Sequence, residues 1–228
     1  MLIVQTKGLL FDMDGVLISS TAAAVRCWRR WCKKYGVPNA ESYDVPQGVR
    51  AADTVRMLKP EWNEAQVAEG LRTIEDMESE DTGDVKALPG AQALLERLPP
   101  ERWAIVTSAT RRLLRARLAA AGLSVPERLI SGDMVARGKP DPEPYRRGAE
   151  LLGVPPGECV VVEDALSGVR AGLAAGCRVL ALLGTESLSE LASATWIVRS
   201  LEEIKVRKPA DGLELRFSAV AAEATAQA

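Results

Sequence analysis

The stretch Gly8-Leu9-Leu10-Phe11-Asp12-Met13-Asp14-Gly15-Val16 decides how this chain is read. Its apolar half has the length and composition of a buried strand, and it runs directly into two aspartates one residue apart, then a glycine. Side chains alternate faces along a strand, so residues two apart point the same way for as long as the strand continues. If Gly15 turns the chain instead, both acids face one small volume at the open end of a sheet. Like charges so placed are relieved by a proton on one of them or by a shared cation, and a hard, oxygen-seeking ion such as Mg2+ suits the second solution. A polar turn after a strand is the plainer reading of the same residues.

Three later segments weigh against the plainer reading. Trp103-Ala104-Ile105-Val106-Thr107-Ser108 is an apolar strand ending in two hydroxyls that can donate to phosphate or carboxylate oxygens. Gly138-Lys139-Pro140-Asp141-Pro142 sets one lysine in a stiff turn before a helix. Cys159-Val160-Val161-Val162-Glu163-Asp164 is a third apolar strand with acids at its carboxyl end. Each alone is ordinary: Thr-Ser and Glu-Asp cap helices, and a turn lysine is usually solvated.

Outward from these segments, the chain divides. Residues 21–35 place Val25, Trp28, Cys32 and Tyr35 at helical spacing, with Gly36 as a stop signal. Residues 51–58 and 61–77 also read as helices, the latter opened by Pro60. No strand is expected between Ile18 and Val85, so this part reads as a separate all-helical unit, with hinges at 18–21 and 78–86. From Leu88 onward helices are expected near 89–98, 110–121, 143–152, 166–175, 187–193 and 200–205, and strands at 103–107, 128–131, 159–163, 177–182 and 196–198. Such alternation predicts an α/β fold, a parallel sheet with helices on both faces, whose ligands bind beyond the carboxyl ends of the strands. The alanine-rich stretch 221–228 is expected to be a frayed tail or helix end.

Composition narrows the function. The 228 residues are 47% hydrophobic, enough for a sizeable core plus a small insertion, and the formal net charge of -2 argues against a polyanionic partner. No basic block interleaved with aromatics suggests nucleic acid, no apolar stretch reaches the length of a membrane span, and residues 1–7 lack the regions of a secretory signal. A cytoplasmic protein is expected. Cys27, Cys32, Cys159 and Cys177 form no Cys-x-x-Cys pair and read as buried free thiols. There is no histidine, which removes Ser-His-Asp and Cys-His triads and histidine metal sites.

As an ordered set, Asp12-Met13-Asp14-Gly15, Thr107-Ser108, Lys139 and Glu163-Asp164 resemble the four motifs of the haloacid dehalogenase-like superfamily of phosphohydrolases. The resemblance covers about residues 8 to 205. Between 98 and 176 the chain looks most like the glycerol-phosphate and deoxyglucose-phosphate phosphatases, with the beta-phosphoglucomutases as relatives carrying the same motifs. It implies a doubly wound, Rossmann-like core at 1–18 and 84–228, with a helical cap inserted at 19–83. The family's dehalogenases lack the second aspartate and its ion pumps carry threonine there, so Asp14 leaves phosphatase or phosphomutase.

The same resemblance assigns the parts. Asp12 is the nucleophile that forms an aspartyl-phosphate, and Asp14 is first general acid and then general base. Mg2+ is held by Asp12, the backbone carbonyl of Asp14 and Asp164, with Glu163 as a further or water-mediated ligand. Lys139, Thr107, Ser108 and the backbone at Ala109 bind the phosphate. Gln47-Gly48-Val49-Arg50 resembles the cap's substrate loop, with glutamine where the yeast-type phosphatases have histidine, so Gln47 and Arg50 are expected to touch substrate. Trp28, Trp31 and Trp62 are candidates to line the pocket. The expected partner is a small phosphorylated sugar or polyol, and the chain is expected to be a monomer, with a weak dimer as the alternative. A phosphomutase, or a non-catalytic sugar-phosphate-binding subunit, are the alternatives.

Overall fold

The computed structural model describes residues 1–220, and the expected tail at 221–228 lies outside the described residues. The chain opens with β1 (Leu2–Thr6), β2 (Gly8–Phe11) and the two-residue β3 (Ile18–Ser19). Three helices follow, α1 (Thr21–Lys34), α2 (Ala51–Leu58) and α3 (Glu64–Glu80), then the short β4 (Lys86–Ala87). Helices and strands then alternate: α4 (Ala91–Arg97), β5 (Trp103–Val106), α5 (Arg111–Ala120), β6 (Leu129–Ile130), α6 (Glu143–Leu151), β7 (Cys159–Glu163), α7 (Leu166–Ala174) and β8 (Arg178–Leu182). Three strands, β9 (Trp196–Val198), β10 (Lys205–Arg207) and β11 (Leu213–Phe217), complete it.

Six strands make one parallel sheet in the order β6-β5-β2-β7-β8-β9. Its strands are buried on both faces, which is why they read as continuous apolar runs. Leu9, Phe11, Ile105, Val160, Val162, Leu180 and Leu182 enter one core cluster. Leu10, Ala104, Val106, Cys159, Val161, Val179 and Ala181, which alternate with them, enter the other. After β2 the chain builds one side of the sheet through β5 and β6, then crosses to β7 and the opposite side. The strand that carries Asp12 therefore stands at the switch point, where a crevice opens beyond the strand ends.

The three consecutive helices form a cluster of their own around Cys27, Trp28, Trp31, Cys32, Val45, Val55, Val67 and Ile74. Trp31 is fully buried and its indole donates to the Gly70 carbonyl at 2.8 Å, with the Trp62 ring 5.7 Å away. The chain leaves and re-enters the sheet side by side, because β3 and β4 pair antiparallel, Ile18 opposite Ala87 and Ser19 opposite Lys86. Arg26 of α1 binds Asp81 and Asp84 beside that junction, both at 2.8 Å.

Several expected elements differ. The helix expected to open at Pro60 opens at Asn63, where Asn63 and Gln66 form a reciprocal capping box. Residues 187–193 form turns, since Ser187 bonds the Glu190 carboxylate through both its amide and hydroxyl and competes with helix. Residues 200–205 hold one short turn of 3-10 helix, Leu201–Glu203, before β10. That strand joins β11 and β1 in a second, antiparallel sheet ordered β1-β11-β10. The alternation of Leu213, Leu215 and Phe217, all buried, is the period-two signal of β11. All four cysteines are buried free thiols, and burial pushes Cys159 up to about 12 and Cys177 to about 11. Among the described residues no helix is long and apolar enough to cross a membrane.

The helical cluster depends on the Trp31 ring more than on any surface pair. Trp31→Ala is expected to cost about 3–5 kcal/mol in urea denaturation, as a large aromatic lost from a closed core does; a cost below about 1 kcal/mol would contradict that packing.

Candidate active site

The sheet register aligns Phe11 with Ile105 and Val162, so the chain segments that follow leave the sheet at a common level. The Asp12 amide still bonds Val162, at 2.9 Å, which fixes Asp12 beside Glu163. Between these two carboxylates lies Lys139, its side chain wholly buried, with Nζ 2.6 Å from Asp12 Oδ1 and 2.6 Å from Glu163 Oε1. The Tyr145 hydroxyl of α6 donates to the same Glu163 oxygen at 2.7 Å, and the amides of Asp164 and Ala165 donate to Oε2 at 2.9 and 3.1 Å. Gly168 on α7 makes room for this carboxylate, since a Cβ there would collide with it.

Burial works against the charge on Lys139, but Asp12 and Glu163 together outweigh it and hold its pKa above the ordinary value. Burial pushes Asp12 up to about 7, with Lys139 opposing and Glu163 and Asp14 adding to the rise. Asp164 is raised well above the carboxylate range by the same burial and by its neighbours Glu163 and Asp12. Three buried carboxylates share one buried ammonium, so the site holds an excess of negative charge that a proton or a cation must offset.

The residues fit a divalent cation. Asp12, Glu163 and Asp164 each bring a carboxylate oxygen within 4.8 Å of the others. Asp164 Oδ1 is buried without a hydrogen-bond partner, an acceptor whose desolvation a hard cation would offset. Glu163 is already engaged at both oxygens, so Asp12 and Asp164 are the open donors. Gly15, at φ +77°, lets the loop pass close to Asp164, where a side chain would strike the carboxylate.

Asp14 faces the same volume from the loop after β2. Ser20 Oγ and Arg117 Nη1 both donate to its Oδ1, at 2.5 and 2.9 Å, and Arg117 Nη2 reaches Glu78 Oε1 of α3 at 3.1 Å. Burial pushes Glu78 up to about 7 against the opposing pull of Arg117. Sequence reasoning missed Ser20, Arg117, Glu78 and Tyr145, although two carried a signal. Arg117 lies four residues after Leu113 and three after Leu114, and Glu78 four after Ile74, so each puts a charge on the buried stripe of its helix.

A cavity of about 290 Å³ lies between the sheet's carboxyl end and the helical cluster. Asp12, Asp14, Gln47, Arg50, Thr107, Ser108, Ala109 and Asp164 line it, together with Trp28, Glu75, Glu78 and Arg117. Lys139 and Glu163 lie beneath its floor. Trp28 reaches the cavity, whereas Trp31 and Trp62 pack within the helical cluster. Thr107 Oγ1 accepts from the Ala109 amide at 3.1 Å, which leaves its own proton for the cavity.

Arg50, expected at the substrate, and Ser108, expected at the phosphate, are otherwise engaged. Arg50 binds Asp53 through Nε at 2.8 Å and Nη2 at 3.0 Å, and Nη1 donates to the Val135 carbonyl at 2.9 Å. It straps the loop before α2 to the sheet's edge, because the Asp53 carboxylate three residues on captures its fork. Ser108 Oγ likewise donates to the Gly48 carbonyl at 2.6 Å, and the Gln47 carbonyl accepts from Ser167 at 2.9 Å.

The family model of the haloacid dehalogenase-like hydrolases matches residues 6–176. Hexitol phosphatase A of Escherichia coli is 41% identical over 210 residues, covering 91% of this chain and 97% of that protein. 2-Deoxyglucose-6-phosphate phosphatase 1 of Saccharomyces cerevisiae is 31% identical, over 87% of this chain and 89% of its own. The crystal structure of a hydrolase from Pseudomonas syringae superposes with a TM-score of 0.75 at 26% identity, covering 85% of this chain and 93% of that one.

The raised carboxyl groups make a pH-dependent prediction. A carboxyl whose folded pKa is raised to about 7 adds stability that is complete below the ordinary carboxylate range and is lost as pH climbs through about 7. The metal-free protein is therefore expected to melt lower at about pH 8 than at about pH 6. Mg2+ should bind more tightly over the same rise and release protons as it binds, which calorimetry in buffers of different ionisation enthalpy reads directly. Binding without proton release near neutral pH would contradict the raised Asp12.

Proposed function

The chain belongs to the haloacid dehalogenase-like hydrolases, and on that premise we propose that it is a Mg2+-dependent phosphatase for a small sugar or polyol phosphate monoester, acting through an aspartyl-phosphate on Asp12. The observation that carries this reading is the pairing of Asp12 with buried Lys139 on one side and an Asp14 that faces the same cavity on the other. The hexitol and deoxyglucose-phosphate phosphatases that the chain resembles supply the substrate class. The cavity suits it: about 290 Å³ is at the small end of the range for ligand pockets.

A phosphate monoester is a dianion that hydrolyses very slowly unaided, so the site must offset charge, align a nucleophile and protonate the departing oxygen. An Asp12 carboxylate oxygen attacks phosphorus, and the bond from phosphorus to the substrate's oxygen breaks with its electron pair on that oxygen. Asp14 gives its proton to the alkoxide as it leaves. Water then attacks the phosphoryl group and yields a proton to Asp14, freeing phosphate and restoring Asp12. Thr107 and the amides around Ser108 and Ala109 donate to the phosphoryl oxygens. Lys139 holds the nucleophile and balances its charge, and Glu163 keeps that lysine in place. Asp12, Asp164 and the Asp14 backbone carbonyl would hold Mg2+, which supplies charge to the phosphoryl oxygens when bound. Residues 19–83 serve as the cap that closes over the substrate and excludes water from the first step, while Trp28 and the Gln47 loop face its carbon chain.

Asp12→Asn is expected to retain the fold and lose at least about three orders of magnitude in kcat, because no other group supplies the covalent partner. The assay is release of inorganic phosphate from hexitol, deoxyhexose and glycerol phosphates with Mg2+. Retention of a tenth of the activity would refute the covalent route, and conversion of an ester to its isomer without phosphate release would assign a phosphomutase instead.

A further inference from the structure

We propose that Arg117, anchored by Glu78, is the positioning residue that aims Asp14 for proton transfer, an inference that rests on the phosphatase reading of the site. The side chain of Arg117 is 6% exposed and that of Glu78 is 7% exposed, and both line the cavity. Arg117 and Ser20 both donate to Oδ1 of Asp14. Oδ2 accepts no hydrogen bond among the described residues. With Oδ1 saturated by two donors, a proton carried by Asp14 resides on Oδ2, the oxygen left for the substrate. Without the guanidinium only Ser20 holds Oδ1, and the carboxyl is freer to turn and share that proton between two oxygens.

The alternative, that this ion pair only holds α3 on α5, is weak on physical grounds. Burying a guanidinium and a carboxylate carries a large desolvation cost, and an apolar pair of the same volume would usually serve stability as well or better. The two helices already have other links: Arg112 binds Asp76 at 2.6 Å and Glu75 at 3.2 Å, and the Thr110 hydroxyl donates to Glu75. A buried cation placed against the carboxyl that must change protonation in each cycle is better explained by that carboxyl. Glu78 belongs to the helical cap and Arg117 to the core, so the anchor exists only when α3 lies on α5. Asp14 is therefore fully aimed only while the cavity is covered.

The step affected is the first: as Asp12 displaces the ester oxygen, that oxygen takes the proton from Asp14 Oδ2. An alkyl phosphate needs this proton, whereas p-nitrophenyl phosphate departs as a stable phenolate and needs it far less. The experiment compares single-turnover rates of leaving-group release from both esters in the Mg2+-loaded enzyme. Arg117→Gln is expected to slow the alkyl ester by about tenfold to hundredfold and the aryl ester by less than about threefold, with Arg117→Lys recovering part of the loss. Glu78→Gln, which keeps the shape and removes the charge, should give a smaller loss with the same bias, and it carries the test if Arg117→Gln does not fold. Equal losses on the two esters, or none on the alkyl ester, would overturn the proposal while a wild type that turns over leaves the phosphatase reading intact. A wild type inactive on every ester would overturn that reading and the inference together.

Discussion

One buried ammonium organises this site. Lys139 touches Asp12 and Glu163 at 2.6 Å each, and both carboxylates and the lysine are almost wholly buried. A lone ion of this kind is costly to bury, so each partner is held in turn. Tyr145 and two backbone amides engage Glu163, Gly168 makes the space it occupies, and the Asp12 amide is tied to β7. The strands deliver the acids, α6 and α7 lock them, and what remains is an uncompensated negative charge facing the cavity through Asp12 and Asp164. That residue of charge is what suits the site, on the proposed reading, to a divalent cation and, with it, a phosphate dianion.

The parts of the fold that could be read from sequence are those governed by local rules. Apolar runs leading into Asp12, Thr107 and Glu163 are buried parallel strands, each recognisable from its own composition, although the pairing that sets them side by side joins segments about 95 to 150 residues apart. The helices at Thr21–Lys34 and Ala51–Leu58 follow from periodicity alone. Less legible were elements decided by competition. Ser187 diverts a helical pattern to its own side chain, and the sheet of β1, β10 and β11 joins segments some 200 residues apart, beyond any local signal. The fate of Arg50 is of the same kind: its sequence context matches a substrate loop, but Asp53 three residues on claims the guanidinium.

Arg117 and Glu78 show where sequence reading of a site falls short. Arginine and glutamate on helices are ordinarily solvated, and only their placement on the apolar stripes of α5 and α3 marks them as exceptional. Their meaning comes from tertiary contact with Asp14, which joins the loop after β2, the helix α5 and the helix α3 of the three-helix cluster. The same three-way meeting recurs at the cavity's other side, where Ser108, Ser167 and Arg50 fasten the Gln47-Gly48 loop to the sheet's edge. The helices over the cavity are thus attached by polar groups that line the cavity itself.

The central claim is that Asp12 carries the phosphoryl group and Asp14 controls its entry and release. Acid quenching of an Asp14→Asn variant incubated with p-nitrophenyl phosphate and Mg2+, followed by peptide mass spectrometry, tests it most directly. An aryl leaving group needs little protonation, and without the base the intermediate should outlast its formation. The account predicts a phosphoryl adduct on the peptide that contains Asp12, absent when Asp12 is also replaced by asparagine. Release of the phenolate with Asp12 unmodified, or an adduct on any other residue, would contradict it.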